Sequence, residues 1–127
     1  MNKTFISSGS DFENKIGYSR AVVAGQMIFV SGTTGFDYDS MTISDDIVKQ
    51  TEQALKNIES ALKKANASLK DVVRVNYILP NAAEFELCWP ILRKYLGESK
   101  PAATMISAKL LDERMKIEIE VTAIKPD

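Results

Sequence analysis

The feature that most constrains the fold is a long amphipathic stripe between Ser44 and Ala65. Apolar residues recur there at steps of three and four, which places them on one side of a helix. Ser44 is positioned to cap the first turn, and Lys63 and Lys64 suit the negative end of the helix dipole. The stripe predicts a helix over residues 44–65 whose apolar side consists of Ile47, Val48, Thr51, Ala54, Leu55, Ile58, Ala61, Leu62 and Ala65.

A second helix is predicted over residues 82–96. Asn81 can cap its start, and Gly97 is a candidate left-handed stop at its end. Pro90 lacks an amide hydrogen and clashes with the preceding turn, so we expect a kink or a restart near Trp89.

Strand patterns surround both helices. They cover residues 19–24, 27–31, 72–79, 103–111 and 116–124. The last run alternates apolar and polar residues, and this period of two is typical of a strand with one buried face. Gly25 suits a tight turn between the first two runs, and Pro80 closes the third.

The predicted order is strand, strand, strand, helix, strand, helix, strand, strand. This order favours a single α+β domain over residues 1–127, with both helices on one face of the sheet. Large apolar groups on the other face indicate burial against a partner, so we expect self-association through it. The residues predicted on that face are Met27, Phe29, Ser31, Thr33, Met105, Ser107, Glu118 and Glu120.

Composition argues against several classes of function. The 16 basic and 17 acidic residues give a net charge of −1, without the basic patch that a nucleic-acid partner requires. The chain has no histidine and a single cysteine, Cys88, so histidine-based zinc sites and intrachain disulfides are excluded. The acidic pair Asp37 and Asp39 lacks the spacing of a calcium loop, so we expect no metal.

Hydropathy gives an expected location. No apolar run approaches the roughly eighteen residues of a membrane-spanning helix, and the first fifteen or so residues lack the apolar stretch of a secretory signal. We therefore expect a cytoplasmic protein with no membrane partner.

Several segments together resemble the RidA (YjgF/YER057c/UK114) family, essentially along the whole chain and in order. The segments are GYSRA, AGQMIFVSGTTG, NASLKDVVRVNYIL, KPAATMISAKLL and KIEIEVTAI. The resemblance implies a chorismate-mutase-like fold with a mixed six-stranded sheet, assembled as a homotrimer with small-molecule clefts between subunits. In the best-studied branch it also implies hydrolysis of reactive enamines and imines to keto acids and ammonia, without a cofactor.

The resemblance also supplies candidate catalytic residues. In the family a glutamate near the C-terminus positions water, and a tyrosine and a serine line the cleft. By position these are Glu118, Tyr18 and Ser31 in this chain. The plainer interpretations are a solvated glutamate, a loop-anchoring tyrosine and an ordinary turn serine.

The family's arginine, which holds the substrate carboxylate, is missing. Its position in the proline–alanine–arginine motif is Ala103 here, so the chain resembles a divergent branch. Losing such a charge-assisted contact costs about 2–4 kcal/mol of carboxylate binding, a factor of roughly thirty to a thousand. Met105 and Trp89 replace a frequent cysteine and a frequent asparagine of the cleft.

Trp89, Ala103, Met105 and Arg20 are therefore the candidate ligand-binding residues. Trp89 and Met105 indicate a larger and more apolar ligand, or else packing between subunits. Arg20 or Arg74 could reach the cleft in place of the missing arginine; the alternative is that each solvates an edge of the surface.

Three functions remain open at this stage. The first is an enamine/imine deaminase with altered specificity, and the second is a non-catalytic binding or regulatory trimer that keeps the cleft. The third is an endoribonuclease or translation inhibitor, an activity attributed to some relatives. The pI near 5.5 and the absence of histidine weigh against the third. Cys88 is interpreted as a core residue of the second helix, because no histidine exists to activate it.

Overall fold

The computed structural model describes residues 2–126, which form eight strands, three α-helices and two 3₁₀ segments. The strands are β1 (Lys3–Ile6), β2 (Ala21–Ala24), β3 (Met27–Thr34), β4 (Phe36–Asp37), β5 (Thr42–Ile43), β6 (Val72–Leu79), β7 (Ala102–Ser107) and β8 (Glu118–Ile124). The helices are α1 (Asp11–Ile16), α2 (Ile47–Lys64) and α3 (Trp89–Leu96), with 3₁₀ segments at Leu69–Asp71 and Ala82–Cys88.

Six of the strands form one mixed sheet in the order β1-β2-β3-β8-β6-β7. Only β6 and β7 run parallel within it, and α3 lies on the connection between them, as a crossover between parallel strands requires. The short strands β4 and β5 pair separately as a hairpin. The predicted α+β fold with a mixed six-stranded sheet is confirmed.

The long helix α2 is also confirmed, but its cap differs from the prediction. The capping residue is Asp46, whose Oδ2 accepts from the Lys49 amide at 2.9 Å. Ser44 acts one step earlier, because its hydroxyl oxygen accepts from the Asp46 amide at 3.1 Å. A carboxylate at this point satisfies an orphan amide and complements the helix dipole, which accounts for the later start.

The second helical region changes type at the predicted place. A 3₁₀ segment ends at Cys88, and α3 restarts at Trp89 with Pro90 in its first turn, where the missing amide costs no hydrogen bond. The predicted cap is confirmed, since Asn81 accepts from the Ala83 amide. The predicted left-handed stop at Gly97 is wrong. Gly97 has φ −64° and is needed for space, because a Cβ there would lie 2.3 Å from the Arg93 carbonyl oxygen.

The core lies between the sheet and the two longer helices. Apolar side chains of α2 and α3 pack against inward-facing residues of β3, β6 and β8, and we call this side the covered face. Those of α2 are Ile47, Ala54, Leu55, Ile58, Ala61 and Leu62. In β8 the buried residues Ile119, Val121 and Ala123 alternate with partly exposed polar ones, as predicted.

The opposite side of the sheet is not covered by α2 or α3, and we call it the uncovered face. Phe29, Ile106 and Ile124 lie there with 47%, 47% and 44% of their surface exposed. Glu118 and Glu120 share this face, as predicted.

Three residues predicted on the uncovered face lie on the covered one. The β3–β8 register shifts between Val30 and Thr33, so Thr33 lies opposite the core residue Ile119. Met105 and Ser107 are also on the covered side, because they pair with the buried residues Tyr77 and Leu79 of β6. The strand β7 ends at Ser107 and not at Leu111, since β6 ends at Leu79 and offers no further partner.

Three elements were not assigned from the sequence. They are the first strand β1, the six-residue helix α1 and the β4–β5 hairpin. Ser10 caps α1 by accepting from the Phe12 amide, and Gly17 ends it in the left-handed conformation with φ 95°. Phe12 of this helix packs edge-on against Phe36 of the hairpin, so the missed elements form a second, smaller apolar cluster.

The corrected cap of α2 leads to a stability prediction. Asp46→Ala removes the acceptor of the Lys49 amide, and we expect the free energy of unfolding to fall by about 1 kcal/mol. Denaturant unfolding at fixed protein concentration measures this change. Asp45→Ala is the matched control, because Asp45 is an exposed neighbour of the same charge, and its effect should stay below about 0.5 kcal/mol. Equal losses in the two variants would contradict the assignment of the cap.

Candidate functional site

Four of the predicted site residues come together where β2 and β3 meet the start of β8. The Ser31 amide donates to the Arg20 carbonyl at 2.9 Å, and the Ser31 hydroxyl donates to the Ser19 carbonyl at 2.7 Å. The guanidinium of Arg20 reaches the Tyr18 hydroxyl at 3.4 Å. We call Tyr18, Arg20, Ser31 and Glu118 the polar group.

Glu118 enters this group because Gly32 leaves room for it. A Cβ placed on Gly32 would lie 2.7 Å from Oε2 of Glu118, which is closer than atoms in contact approach. The glycine stands within the register shift between Val30 and Thr33, where the strand departs from regular pairing. The carboxylate of Glu118 therefore lies directly over the backbone of β3.

Burial gives Glu118 an unusual protonation equilibrium. Burial raises the pKa of Glu118 above its ordinary value, the negative charge of Glu120 raises it further, and the positive charge of Arg20 opposes the increase. Glu120 itself is held by the Asn76 side-chain amide, which donates to it at 2.7 Å. A half-buried carboxyl with a raised pKa keeps its proton up to a higher pH than an exposed glutamate does, which suits a general acid or base.

Tyr18 is also partly buried. Burial raises the pKa of its hydroxyl, with the charge of Arg20 opposing the increase, so the phenol stays protonated at neutral pH. A protonated phenol can donate a hydrogen bond to a bound ligand.

Arg20 is not a surface arginine. Its side chain is 2% exposed, its Nη1 donates to the Gly32 carbonyl at 2.9 Å and to the Thr33 hydroxyl at 3.0 Å, and its Nε lies 3.5 Å from Oε2 of Glu13. Its guanidinium carbon also lies 4.7 Å from the ring centre of Tyr38. The guanidinium is thus surrounded by the protein's own groups, and direct contact with a ligand stays a prediction.

Arg74 lies elsewhere on the uncovered face. It is exposed, and it pairs with Thr122 of β8 and Ala102 of β7. Four residues further along β6, Ile78 pairs with Glu118. Because a strand rises about 3.3 Å per residue, Arg74 and Glu118 are separated by about 13 Å along the sheet.

The remaining predicted residues form an apolar group at the other edge of the sheet. Phe85 links them, since its ring centre lies 5.1 Å from that of Tyr77 and 6.4 Å from that of Trp89. Met105, on β7 beside Tyr77, lines with Phe85 a cavity of about 180 Å³. Ala103 precedes Met105 on the same strand and face. We call Phe85, Trp89, Ala103 and Met105 the apolar group.

The two groups do not form one pocket in a single protomer. Glu118 lies on the uncovered face of β8, whereas Met105 lies on the covered side of β7, two strands away. Two strand spacings amount to about 10 Å. Trp89 and Met105 are 46% and 57% exposed, so both present apolar surface outward from the protomer.

The described residues meet neither the requirements of a metal site nor those of a membrane-spanning helix. Between residues 2 and 126, no group of three or more histidine, cysteine, aspartate or glutamate side chains is arranged to hold a metal ion. Within the same span, no helix is long and apolar enough to cross a membrane. Cys88 is buried, as predicted, and accepts from the Thr51 hydroxyl, and burial raises the pKa of its thiol.

Two residues of the site were missed by sequence reasoning. Gly32 directly follows the predicted strand over residues 27–31, and its role was missed because it depends on Glu118, which is distant in sequence. Glu13 was not considered at all, although it is 4% exposed and pairs with Arg20. The spacing of Ser10 and Glu13 matches a capping box and could have revealed α1, but it would have assigned Glu13 to the cap.

Comparison with known proteins identifies the family. The family model described as Endoribonuclease L-PSP matches residues 9–125. A RutC family protein of Pyrococcus abyssi is 37% identical over 109 residues, which cover 85% of this chain and 86% of that protein. This chain belongs to the RidA family.

Other members of the RidA family agree with this assignment. The human protein named 2-iminobutanoate/2-iminopropanoate deaminase is 31% identical over 85% of this chain and 80% of its own length. The crystal structure of a YjgF/YER057c/UK114 family member from Mycobacterium tuberculosis superimposes with a TM-score of 0.88 at 36% identity, covering 97% of this chain and 99% of the other. The resemblance carried by the sequence segments is thereby confirmed.

The contact between Gly32 and Glu118 can be tested by adding one methyl group. Gly32→Ala should displace the flexible end of Glu118 and bring its pKa, followed by carboxyl ¹³C NMR, closer to the ordinary value, with thermal stability nearly unchanged. Gly35→Ala is the contrasting control, because its Cβ would meet the backbone of Gln50 at 2.5 Å and should lower thermal stability clearly. A Gly32→Ala protein in which Glu118 titrates as in the wild type would contradict the described geometry.

Proposed function

We propose that this protein is a homotrimer whose clefts between subunits bind a small metabolite and hydrolyse an enamine or imine to a carbonyl compound and ammonia. The observation that carries the proposal is the carboxyl group of Glu118, half-buried over Gly32 and influenced by the charge of Arg20, whose guanidinium reaches the Tyr18 hydroxyl at 3.4 Å. The deaminase names of several relatives support the reaction class.

The separation of the polar and apolar groups supports the assembly. A ligand that contacts both groups has to contact two copies of the chain, because they lie on different faces of one protomer. The uncovered face exposes large apolar residues, and burial against other copies would remove them from water. We propose that the polar group of one subunit and the apolar group of its neighbour form each cleft.

The proposed chemistry requires water and a group that moves protons. The oxygen of a water molecule forms a bond to the imine carbon while Glu118 accepts one of its protons. The proton passes to the imine nitrogen, which gives a tetrahedral intermediate with one hydroxyl and one amino group. As the carbon–nitrogen bond breaks, the hydroxyl loses its proton to form the carbonyl, and Glu118 passes that second proton to the departing nitrogen, which leaves as ammonia. Overall, R₂C=NH and H₂O give R₂C=O and NH₃, so no cofactor is needed. We propose that the hydroxyls of Tyr18 and Ser31 line the site where this water lies.

Specificity is proposed to differ from that of relatives that hold a substrate carboxylate. Ala103 supplies no charge, Arg20 is enclosed by protein groups, and Arg74 lies about 13 Å from Glu118 within a protomer. Phe85, Trp89 and Met105 provide apolar surface in place of a cation. We propose an apolar imine or enamine as the substrate class, in a protein of the cytoplasm that has no nucleic-acid partner.

A second candidate function is a trimer that binds the same class of ligand without turnover. Ala103 favours this alternative, because a site that lacks the carboxylate contact can keep its shape and still fail to orient a substrate for attack. The two candidates share the cleft and differ only in catalysis.

Hydrolysis of imines generated from a panel of amino acids decides between them. Every imine of this panel carries a carboxylate, so its members differ in the side chain. We expect the wild type to act on imines with large apolar side chains, Ala103→Arg to gain about thirty- to a thousandfold on those with small side chains, and Glu118→Gln to lose at least about a hundredfold. Semicarbazide competes with the protein for the imine, and this competition reports the rate of imine hydrolysis.

Light scattering on the same samples is the control for assembly, and a mass other than three times that of the monomer would overturn the trimer. An inert wild type together with an active Ala103→Arg would favour the binding trimer. Inactivity of both on every imine would remove the deaminase proposal.

The raised pKa of Glu118 predicts the pH dependence. The ionised carboxylate is the form that accepts a proton, so the rate should fall as the pH drops through the pKa of Glu118. Because burial raises that pKa, the decline should begin at a higher pH than an exposed glutamate with a pKa of about 4.3 would give. A pH–rate profile measures it, and a decline centred at the ordinary glutamate value would exclude Glu118 as the base.

A further inference from the structure

A buried ion pair lies behind the polar group and is not used by the proposed chemistry. Glu13 and Arg20 are 4% and 2% exposed, and Nε of Arg20 lies 3.5 Å from Oε2 of Glu13. Burying two charges costs desolvation energy, and an apolar pair of the same volume is often equally stable. Stability alone therefore does not explain why this pair is present.

Arg20 connects the pair to the backbone under Glu118. Its Nη1 donates to the Gly32 carbonyl at 2.9 Å and to the Thr33 hydroxyl at 3.0 Å, so it holds both residues at the register shift of β3. Its Nη2 reaches the Tyr18 hydroxyl at 3.4 Å. The guanidinium of Arg20 thus contacts both the Gly32–Thr33 segment that lies under Glu118 and the hydroxyl of Tyr18.

Glu13 in turn fixes Arg20 and the chain entering the site. The Ser7 hydroxyl donates to Oε1 of Glu13 at 3.0 Å, and the Ser8 hydroxyl donates to Oε2. Its own carbonyl accepts from the amides of Gly17 and Tyr18 at 2.9 and 3.1 Å. Nε of Arg20 is buried with no hydrogen-bond partner, so the ion pair with Glu13 is the interaction that orients this end of the guanidinium.

We propose that Glu13 and Arg20 are positioning residues of the polar group: Glu13 orients Arg20, and Arg20 holds the Tyr18 hydroxyl and the Gly32 backbone against which Glu118 lies. The inference rests on the proposed function, in which Tyr18 and Glu118 contact the substrate. Neither Glu13 nor Arg20 needs to touch it.

The charges of the pair also act on Glu118. The charged groups that influence the carboxyl are Glu120 on its own strand and Arg20, whereas its partners on the neighbouring strands, Ile78 and Thr34, are uncharged. The positive charge of Arg20 lowers the pKa of Glu118, and Glu13 is the acidic partner of Arg20, with Oε2 at 3.5 Å from Nε. Hydrogen bonds from Ser8 and Ser7 and the charge of Arg20 outweigh burial and lower the pKa of Glu13, so the carboxylate stays ionised.

Two substitutions should therefore shift the pKa of Glu118 in opposite directions. Glu13→Gln keeps the shape but leaves the charge of Arg20 uncompensated, and the pKa of Glu118 should fall by about 0.5 unit. Arg20→Met removes the positive charge, and the pKa should rise by about 0.5 unit. Carboxyl ¹³C NMR titration of the assembled protein measures both, with the signal assigned by its loss in Glu118→Gln.

A surface ion pair provides the matched control. Asp112 and Arg114 pair at 2.7 Å on an exposed loop, so Asp112→Asn and Arg114→Met should leave the titration of Glu118 unchanged. The positioning role would be overturned if the pKa of Glu118 shifted in the same direction in Glu13→Gln and Arg20→Met. It would also be overturned if that pKa shifted in neither variant. If Arg20→Met does not fold, Glu13→Gln alone decides by the sign of its shift.

The titration needs no substrate, so the two proposals can fail separately. Absence of imine hydrolysis with opposite shifts of Glu118 would remove the enzymatic proposal and leave the positioning role. If the protein hydrolyses imines but the pH at which the rate falls in acid is the same in the wild type, Glu13→Gln and Arg20→Met, the enzymatic proposal would stand and the positioning role would be removed.

Discussion

The pairing of β3 with β8 is the interaction on which the candidate site depends. Up to Val30 and Val121 the two strands are paired so that their apolar residues face the helices together. One extra residue in β3 then changes its phase, and Thr33 lies opposite Ile119. A register shift of this kind bends a strand and redirects side chains. Here it brings Gly32 under the carboxylate of Glu118, and without it the first polar residue of β8 would lie over an ordinary side chain.

The fold could be predicted from the sequence wherever local pattern and burial agree. The stripe of α2 and the alternation of β8 are such cases, because each element has one face in the same core. Pro90 also acts locally, and the restart of α3 beside it was predicted. The face of Met105 was not predictable in this way. Every residue of β7 is exposed in the protomer, so its sequence lacks the alternation that burial imposes.

The site was predictable only through the family resemblance, and only for residues that carry the family's motif. Tyr18, Ser31 and Glu118 were named from it, and the structure brings them together. Glu13 and Gly32 act through partners that are distant in the chain or hidden from solvent, and no period or spacing marks such a role. Arg20 was noticed as a charge, but its burial against Glu13 and Tyr38 follows from tertiary packing alone.

The edge strand β7 has a consequence for how newly made copies of the chain meet one another. It lies at the end of the sheet with one row of backbone amides and carbonyls unpaired within the protomer, and all six of its residues are exposed. Such an edge is a template for any other extended segment, whether the correct neighbour or a partly folded one. For the trimer proposed above, newly made copies therefore face a kinetic competition between assembly and misassociation. Concentration, as much as sequence, determines how many of them become native.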